Sequence, residues 1–175
     1  QLINTDEIET NGDPIDTRRI LELLNIRHAT EHGEWANFTE LNADVGGSSS
    51  RMDFYTMSCW RREGYKSIAY EVTVSRSDFD RELRNPDKRR RAELVANETW
   101  FAAPINLIRP EELPEGWGLI EAHKGGLKVK QHAPQRKVTY NHSFVASLAR
   151  HHKAPKPDLP PAAWKLMGRT VTEQE

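Results

Sequence analysis

The chain has 175 residues, of which 37% are apolar and 29% charged, and this is enough for one domain with a sizeable core. No apolar run approaches the roughly 20 residues that span a bilayer, so membrane insertion is not expected. Cys59 is the only cysteine, which excludes an internal disulfide and a thiolate-rich zinc cluster. The first residues lack the basic start and apolar stretch of a secretory signal, so the expected location is cytoplasmic.

The charges are unevenly distributed along the chain, although the formal net charge is only -1. Residues 1–40 contain nine acids and three bases, whereas residues 123–137 contain five bases and no acid. A molecule polarised in this way can present one basic face to a polyanion.

The first element predicted in chain order is a helix. Ile20, Leu23 and Leu24 have the i, i+3, i+4 spacing of an amphipathic helix. Asp16 or Thr17 is suited to be its N-cap. His28 and His32 continue with a spacing that would suit a metal pair, but no HExxH motif accompanies them, so both are expected at the surface.

Three strands are predicted after this helix. A short strand is expected around residues 38–41, a second in "RMDFYTMSCW" and a third in "KSIAYEVTVS", the most strand-like stretch of the chain. "GGSSS" predicts a turn between the first two strands.

A helix follows the third strand, and the sequence then predicts a restart. Ser75 or Ser77 can cap a helix over "SRSDFDREL". Asn85 suits a second N-cap and Pro86 the first position of the new helix, which should run to about Asn97.

The rest of the domain is predicted as strands and a final helix. Strands are expected in "ETWFAAPINLI" and "WGLIEA", a hairpin return in "GGLKVKQHA" and a helix in "NHSFVASLARHH". The fold class is therefore α/β (α+β), with core order α-β-β-β-α-β and one central mixed sheet flanked by helices. Residues 15–153 form this domain, 1–14 an N-terminal extension and 154–175 a Pro-rich tail.

Strand alternation raises the question of a metal site. Glu71 and Thr73 lie on one face of the third strand, and Asp53 on the preceding strand can come alongside Glu71. Two close carboxylates repel each other unless a cation lies between them, and oxygen ligands suit Mg²⁺ or Mn²⁺, with the backbone carbonyl of Val72 as a further ligand. The alternative is that both acids are isolated strand-end residues paired with arginines, and spacing does not decide between these readings.

The run "RMDFYTMSCWRREGYKSIAYEVTVSRSDFDRELRNPDKRR", followed by "WFAAP" and "LPEGWGLIEA", resembles small phage and bacterial proteins of the PD-(D/E)xK nuclease superfamily. The resemblance covers roughly Leu21 to Ala133. It implies a restriction-endonuclease-like domain that hydrolyses DNA with Mg²⁺ or Mn²⁺. Carried over by position, the metal-binding acids would be Asp53 and Glu71. A phage origin would place the protein in the cytoplasm of a bacterial host.

The sequence departs from the family motif at Thr73, where the resemblance implies a lysine. That lysine orients the attacking water and offsets transition-state charge, whereas a threonine hydroxyl brings no positive charge. Lys88 on the following helix is the favoured replacement, with a solvated surface charge as the alternative. Glu40, on the strand before Asp53, is a further candidate metal ligand.

Two basic sets are candidates for nucleic-acid contact. Helical phase would place Arg84, Lys88 and Arg91 on one side at i, i+4 and i+7, although a solvated, salt-bridged helix face explains the same charges. The second set is the block without interspersed acids: Lys124, Lys128, Lys130, Arg136 and Lys137.

The expected partner is DNA, duplex or branched, and self-association into a homodimer is left open. The leading functional interpretation is metal-dependent phosphodiester hydrolysis. The alternative is a non-catalytic nucleic-acid-binding protein on a degenerate nuclease scaffold, which kept its basic faces and lost turnover with position 73. An assembly protein that binds other proteins is a third interpretation.

Overall fold

The computed structural model describes residues 15–29 and 34–152, which form one α+β domain. The expected N-terminal extension 1–14 and Pro-rich tail 154–175 lie outside these residues, as does His32. A six-stranded mixed sheet is flanked by helices, as the sequence predicted. In the described ranges, no helix has the length and apolar character needed to cross a bilayer.

Four helices are present in the described residues: α1 Thr17–Arg27, α2 Arg76–Leu83, α3 Pro86–Val95 and α4 His142–His151. The strands are β1 Trp35–Val45, β2 Ser48–Ser58, β3 Ser67–Val72, β4 Glu98–Pro104, β5 Trp117–His123 and β6 Gly126–Gln131. Asp16, Ser75, Asn85 and Asn141 cap the helices through their side chains.

The strands are ordered in space as they are in the chain, from β1 to β6. β3, β4 and β5 are parallel to one another, and the remaining neighbours are antiparallel. The carboxyl ends of β3, β4 and β5 therefore lie on one edge of the sheet, which we call the carboxyl edge. The opposite edge, where these three strands begin, is the amino edge.

Each face of the sheet has its own core. On one face, helices α2, α3 and α4 bury residues such as Phe79, Val95 and Phe144 against the sheet. On the other face, Ile20 and Leu24 of α1 pack on side chains of the central strands. The helices are amphipathic, so most of their stabilisation comes from burying one apolar side, which the predicted spacing of α1 already indicated.

Strand β1 is longer than the short strand expected around residues 38–41, and it carries an irregularity at Glu40. The backbone of Glu40 has φ 52°, and the regular pairing omits Glu40 between Thr39 and Leu41. Before Glu40 the even-numbered residue Phe38 faces the core that carries α2, α3 and α4, and after it the odd-numbered residue Leu41 faces the same core. Such local interruptions redirect side chains and terminate pairing, and this one lies opposite Asp53.

His28 is buried rather than exposed, so the expectation of a surface histidine is wrong. Its Nε2 lies 2.9 Å from the hydroxyl of Tyr70, and its ring packs near Trp35 and Phe54. Burial lowers the pKa of His28 to about 4. The residue is therefore a neutral core side chain at the end of α1.

Candidate functional site

Asp53 lies where the pairing of β2 with β3 ends. The last regular pair is Phe54 with Tyr70, and beyond it the backbone N–H of Val72 donates to Oδ2 of Asp53 at 2.9 Å. The side chain of Asp53 thus accepts a hydrogen bond that, in a regular ladder, would go to a backbone carbonyl of β2. Because the N–H and C=O of one residue in an extended strand point to the same side, the carbonyl of Val72 is expected on the side of Asp53.

Glu71 follows next to Asp53 on the sheet face that carries α2 and α3. It is 1% exposed, and it pairs in register with Phe101 of β4. Burial raises the pKa of Glu71 to about 8, the charge of Asp53 acts in the same direction, and Lys88 opposes both. The two acids therefore influence each other electrostatically, as expected of neighbouring carboxylates.

Lys88 reaches Glu71 from helix α3. Its Nζ lies 2.6 Å from Oε2 of Glu71 and 3.1 Å from Oε2 of Glu82. Burial is the largest single influence and tends to lower the pKa of Lys88, but the carboxylates of Glu71, Asp53 and Glu82 together raise it above its ordinary value, so the amine stays charged. The cap formed by Asn85, which accepts from the backbone N–H of Lys88 at 3.2 Å, fixes the start of α3 at this point.

These residues open onto a cleft of about 320 Å³. Its ionisable lining consists of four acids and three bases: Glu40, Asp53, Asp78, Glu82, Arg51, Arg81 and Lys88. With Glu71, buried behind the lining, the fully ionised site has five carboxylates against three cations. This excess of two negative charges equals the charge of one divalent cation.

Two buried oxygens of the site have no hydrogen-bond partner. They are Oε1 of Glu71 and Oγ1 of Thr73, and Thr73 is 1% exposed. Buried polar atoms are nearly always satisfied, so these two oxygens are available to an ion, a water or a ligand that enters the site. The donor set of two carboxylates and a backbone carbonyl suits Mg²⁺ or Mn²⁺. Over residues 15–29 and 34–152, no three or more His, Cys, Asp or Glu side chains form a ready-made metal group.

Glu40 lies at the rim of the cleft. Its Oε1 is 2.5 Å from Nη2 of Arg51, and both side chains are more than half exposed. An exposed carboxylate that is already paired is a weaker candidate ligand than Asp53 or Glu71. The prediction that Glu40 adds to a metal site stays a prediction.

The predicted basic stripe on one helix is wrong. Helix α2 ends at Leu83 and α3 begins at Pro86, so Arg84 caps one helix while Lys88 and Arg91 belong to the next. Asn85 and Pro86 interrupt the helical phase. Lys88 is mostly buried between two carboxylates, so it is not a surface contact for a phosphate backbone.

The second basic block divides into two parts. Arg136 is half-buried, and its guanidinium donates to the carbonyl of Gly116 at 2.7 Å and to Oγ1 of Thr99 at 3.1 Å. These contacts give Arg136 a structural role in the fold, and its contact with nucleic acid stays a prediction. Lys137 is exposed beside it at the amino edge, whereas Lys124, Lys128 and Lys130 lie at or near the β5–β6 turn.

Four charged residues of the cleft were not predicted as site residues: Asp78, Glu82, Arg51 and Arg81. Glu82 lies six positions before Lys88 on the preceding helix, and only the turn between α2 and α3 brings the two together. Arg51 lies two residues before Asp53, and Arg81 pairs with Asp78 at 2.8 Å on α2. An isolated charge has no sequence pattern that separates it from a solvated surface residue.

No family model and no curated protein matches the chain. Among solved structures, it is similar to the SPO1766 protein of unknown function from Silicibacter pomeroyi. The identity is 19% and the TM-score 0.58, with 95% of this chain and 97% of that chain covered. This likeness shows a shared α+β fold and carries no statement about activity.

Proposed function

We propose that the protein is a divalent-metal-dependent nuclease of the PD-(D/E)xK type that hydrolyses DNA phosphodiesters in the cleft beside Asp53. The observation that carries the proposal is the unpartnered, buried Oε1 of Glu71, next to Asp53 and across from the ammonium of Lys88. A buried carboxyl group with one oxygen hydrogen-bonded and the other without a partner costs free energy, and a functional role is one explanation for keeping it.

Asp53 and Glu71 would hold Mg²⁺ or Mn²⁺, with the carbonyl of Val72 as a further ligand. When bound, such an ion polarises the phosphate and lowers the pKa of a coordinated water. Once Glu71 is ionised, above its pKa of about 8, the excess of two negative charges in the site favours a divalent over a monovalent cation.

Lys88 would supply the positive charge that the motif position lacks. Thr73 carries a hydroxyl only, whereas the ammonium of Lys88 lies 2.6 Å from the neighbouring acid. Its role would be to offset the charge that develops on the phosphate in the transition state, the kind of electrostatic contribution that preorganised cations make. Glu82 holds Lys88 from the other side.

The second candidate function is nucleic-acid binding without cleavage. It is favoured by Thr73 and by the pairing of all three cleft cations with acids: Arg51 with Glu40, Arg81 with Asp78, and Lys88 with Glu71 and Glu82. In this case the protein would bind DNA in a salt-dependent manner, and Asp53 and Glu71 would not take part in phosphodiester hydrolysis.

A cleavage assay separates the two functions. Linear, nicked, branched and single-stranded DNA are incubated with wild type in Mn²⁺, in Mg²⁺ and in EDTA. A nuclease cuts at least one substrate with metal and none in EDTA, and D53N or E71Q abolishes cutting, whereas the exposed control E111Q does not. Salt-sensitive binding without cutting of any substrate would instead identify the binding protein.

A further inference from the structure

The parallel strands place the β5–β6 turn on the same edge of the sheet as the cleft. β3, β4 and β5 end together, and the cleft lies at the end of β3. The turn that follows β5 contains Lys124, Gly125 and Gly126, and β6 then returns with Lys128 and Lys130. We call this turn and the first residues of β6 the hairpin arm, residues 124–130.

The exposed lysines of the arm lie on the same sheet face as Glu71. Lys128 pairs with Glu121, so both side chains lie on one face of the sheet. Leu119, two residues before Glu121 and therefore on the same face, packs into the core that carries α2 and α3. Nζ of Lys130 lies 3.9 Å from Oε2 of Glu121, which places Lys130 on this face too. The apolar residues Leu127 and Val129 pack on the opposite face.

The sheet sets the smallest separation between the cleft and the arm, because the cleft extends from β3 toward β2 and β1. Three strand spacings separate β3 from β6, which amounts to about 14 Å at roughly 4.8 Å per spacing. This distance is close to the width of about 12 Å of the major groove of B-DNA, across which the two backbones of a duplex face each other.

We propose that the hairpin arm holds the second strand of a DNA duplex whose first strand occupies the cleft, so that the substrate class is double-stranded DNA. This proposal deepens the nuclease function and rests on it for the position of the first strand. Lys128 and Lys130 would contact phosphates, which adds affinity without reading sequence.

The chain offers a matched control for this proposal. Lys137 is an exposed lysine of the same basic block, but the backbone N–H of its neighbour Arg136 donates to the carbonyl of Asn97, immediately before β4. Lys137 therefore lies at the amino edge, away from the cleft. A basic block that acted only through its total charge would use Lys137 and Lys128 equally.

The test is the salt dependence of binding in EDTA, measured by fluorescence anisotropy between about 50 and 200 mM salt. The probes are a duplex of two helical turns and one of its single strands. For K128A/K130A, the slope of log affinity against log salt should become less negative by about 2 for the duplex, because two phosphate contacts are lost. The slope for the single strand should not change. K137A should match wild type on both probes.

The arm proposal is overturned if K128A/K130A keeps the wild-type slope on the duplex, if K137A changes it equally, or if wild type binds no DNA. K128A alone, with an expected change of about 1 in the slope, guards against a structural effect of losing the contact of Lys130 with Glu121. Failure of the nuclease function is a separate result, because it shows as absence of metal-dependent cutting in a protein whose duplex slope still depends on the arm.

Discussion

Nζ of Lys88 lies 2.6 Å from Oε2 of Glu71, so helix α3 brings to the buried acid of β3 the positive charge that Thr73 does not provide. Thr73 is on the same strand face, two residues further along, with its hydroxyl unpartnered. The positive charge at this acid therefore comes from helix α3 and not from position 73 of the strand.

The first prediction concerns the stability of this pair. K88M removes the ammonium that lowers the pKa of Glu71, so at pH 9 the buried acid must either stay charged without its partner or take up a proton, and the free energy of unfolding should fall by on the order of 3 kcal/mol. E71Q/K88M removes both charges and should recover most of that loss. Urea unfolding measures both, with the exposed K128M as the control. The single variant E71Q completes the cycle, and effects of K88M and E71Q that simply add in E71Q/K88M at pH 9 would show that the two groups do not interact.

The second prediction concerns the pH dependence of metal binding. Glu71 is protonated below its pKa of about 8, and a metal ion must displace that proton. The affinity for Mn²⁺ should therefore rise up to about tenfold per pH unit as the pH approaches 8 and then level off. Isothermal titration calorimetry from pH 6.5 to 9 measures this. E71Q should bind weakly at every pH, and an affinity of wild type that does not change below pH 8 would contradict the assignment of Glu71 as a ligand.

The third prediction uses Thr73 to test the role of Lys88. If Lys88 replaces the motif lysine, K88M should lose activity by a factor of about 100 or more, and T73K/K88M should regain part of it. T73V, which removes only the hydroxyl, is the control for disturbance at this position. Cleavage rates in Mn²⁺ decide the outcome. Full activity of K88M would remove Lys88 from the mechanism, and activity that appears only with T73K would identify a disabled enzyme.

The fourth prediction separates structural from DNA-contacting arginine. R136A loses the hydrogen bonds to Gly116 and Thr99, and hydrogen bonds from a charged donor are worth about 1.5–3 kcal/mol each. The variant should unfold at lower urea, while the slope of DNA binding with salt should stay as in wild type. K137A should change neither quantity. A less negative slope for folded R136A would return Arg136 to the DNA interface.

Much of the fold could be predicted because local patterns determine it. The cap candidates Ser75 or Ser77, and Asn85 with Pro86 at the first position, gave the starts of α2 and α3, whereas α3 ends at Val95 and not at about Asn97. Strand alternation placed Glu71 and Thr73 on one face, and the structure has both buried there. The central mixed sheet and its flanking helices followed from the order of these elements.

What could not be predicted depends on contacts between distant segments. His28 was expected at the surface because nothing in its helix marks the aromatic side chains of β1, β2 and β3 that cover it. The role of Arg136 depends on carbonyls of other segments. Glu82 contacts Lys88 only because the turn between α2 and α3 brings them together. The irregularity at Glu40 could not be predicted because no glycine, proline or asparagine marks this position.

Whether Asp53 and Glu71 bind one divalent cation is tested most directly by the anomalous difference density of a crystal grown with Mn²⁺. We expect one ion bound by carboxylate oxygens of both Asp53 and Glu71, with Nζ of Lys88 as the nearest amine. An ion held elsewhere, or no ion at these two residues at millimolar Mn²⁺ and pH 8.5 while the carboxylates keep their positions, would contradict it.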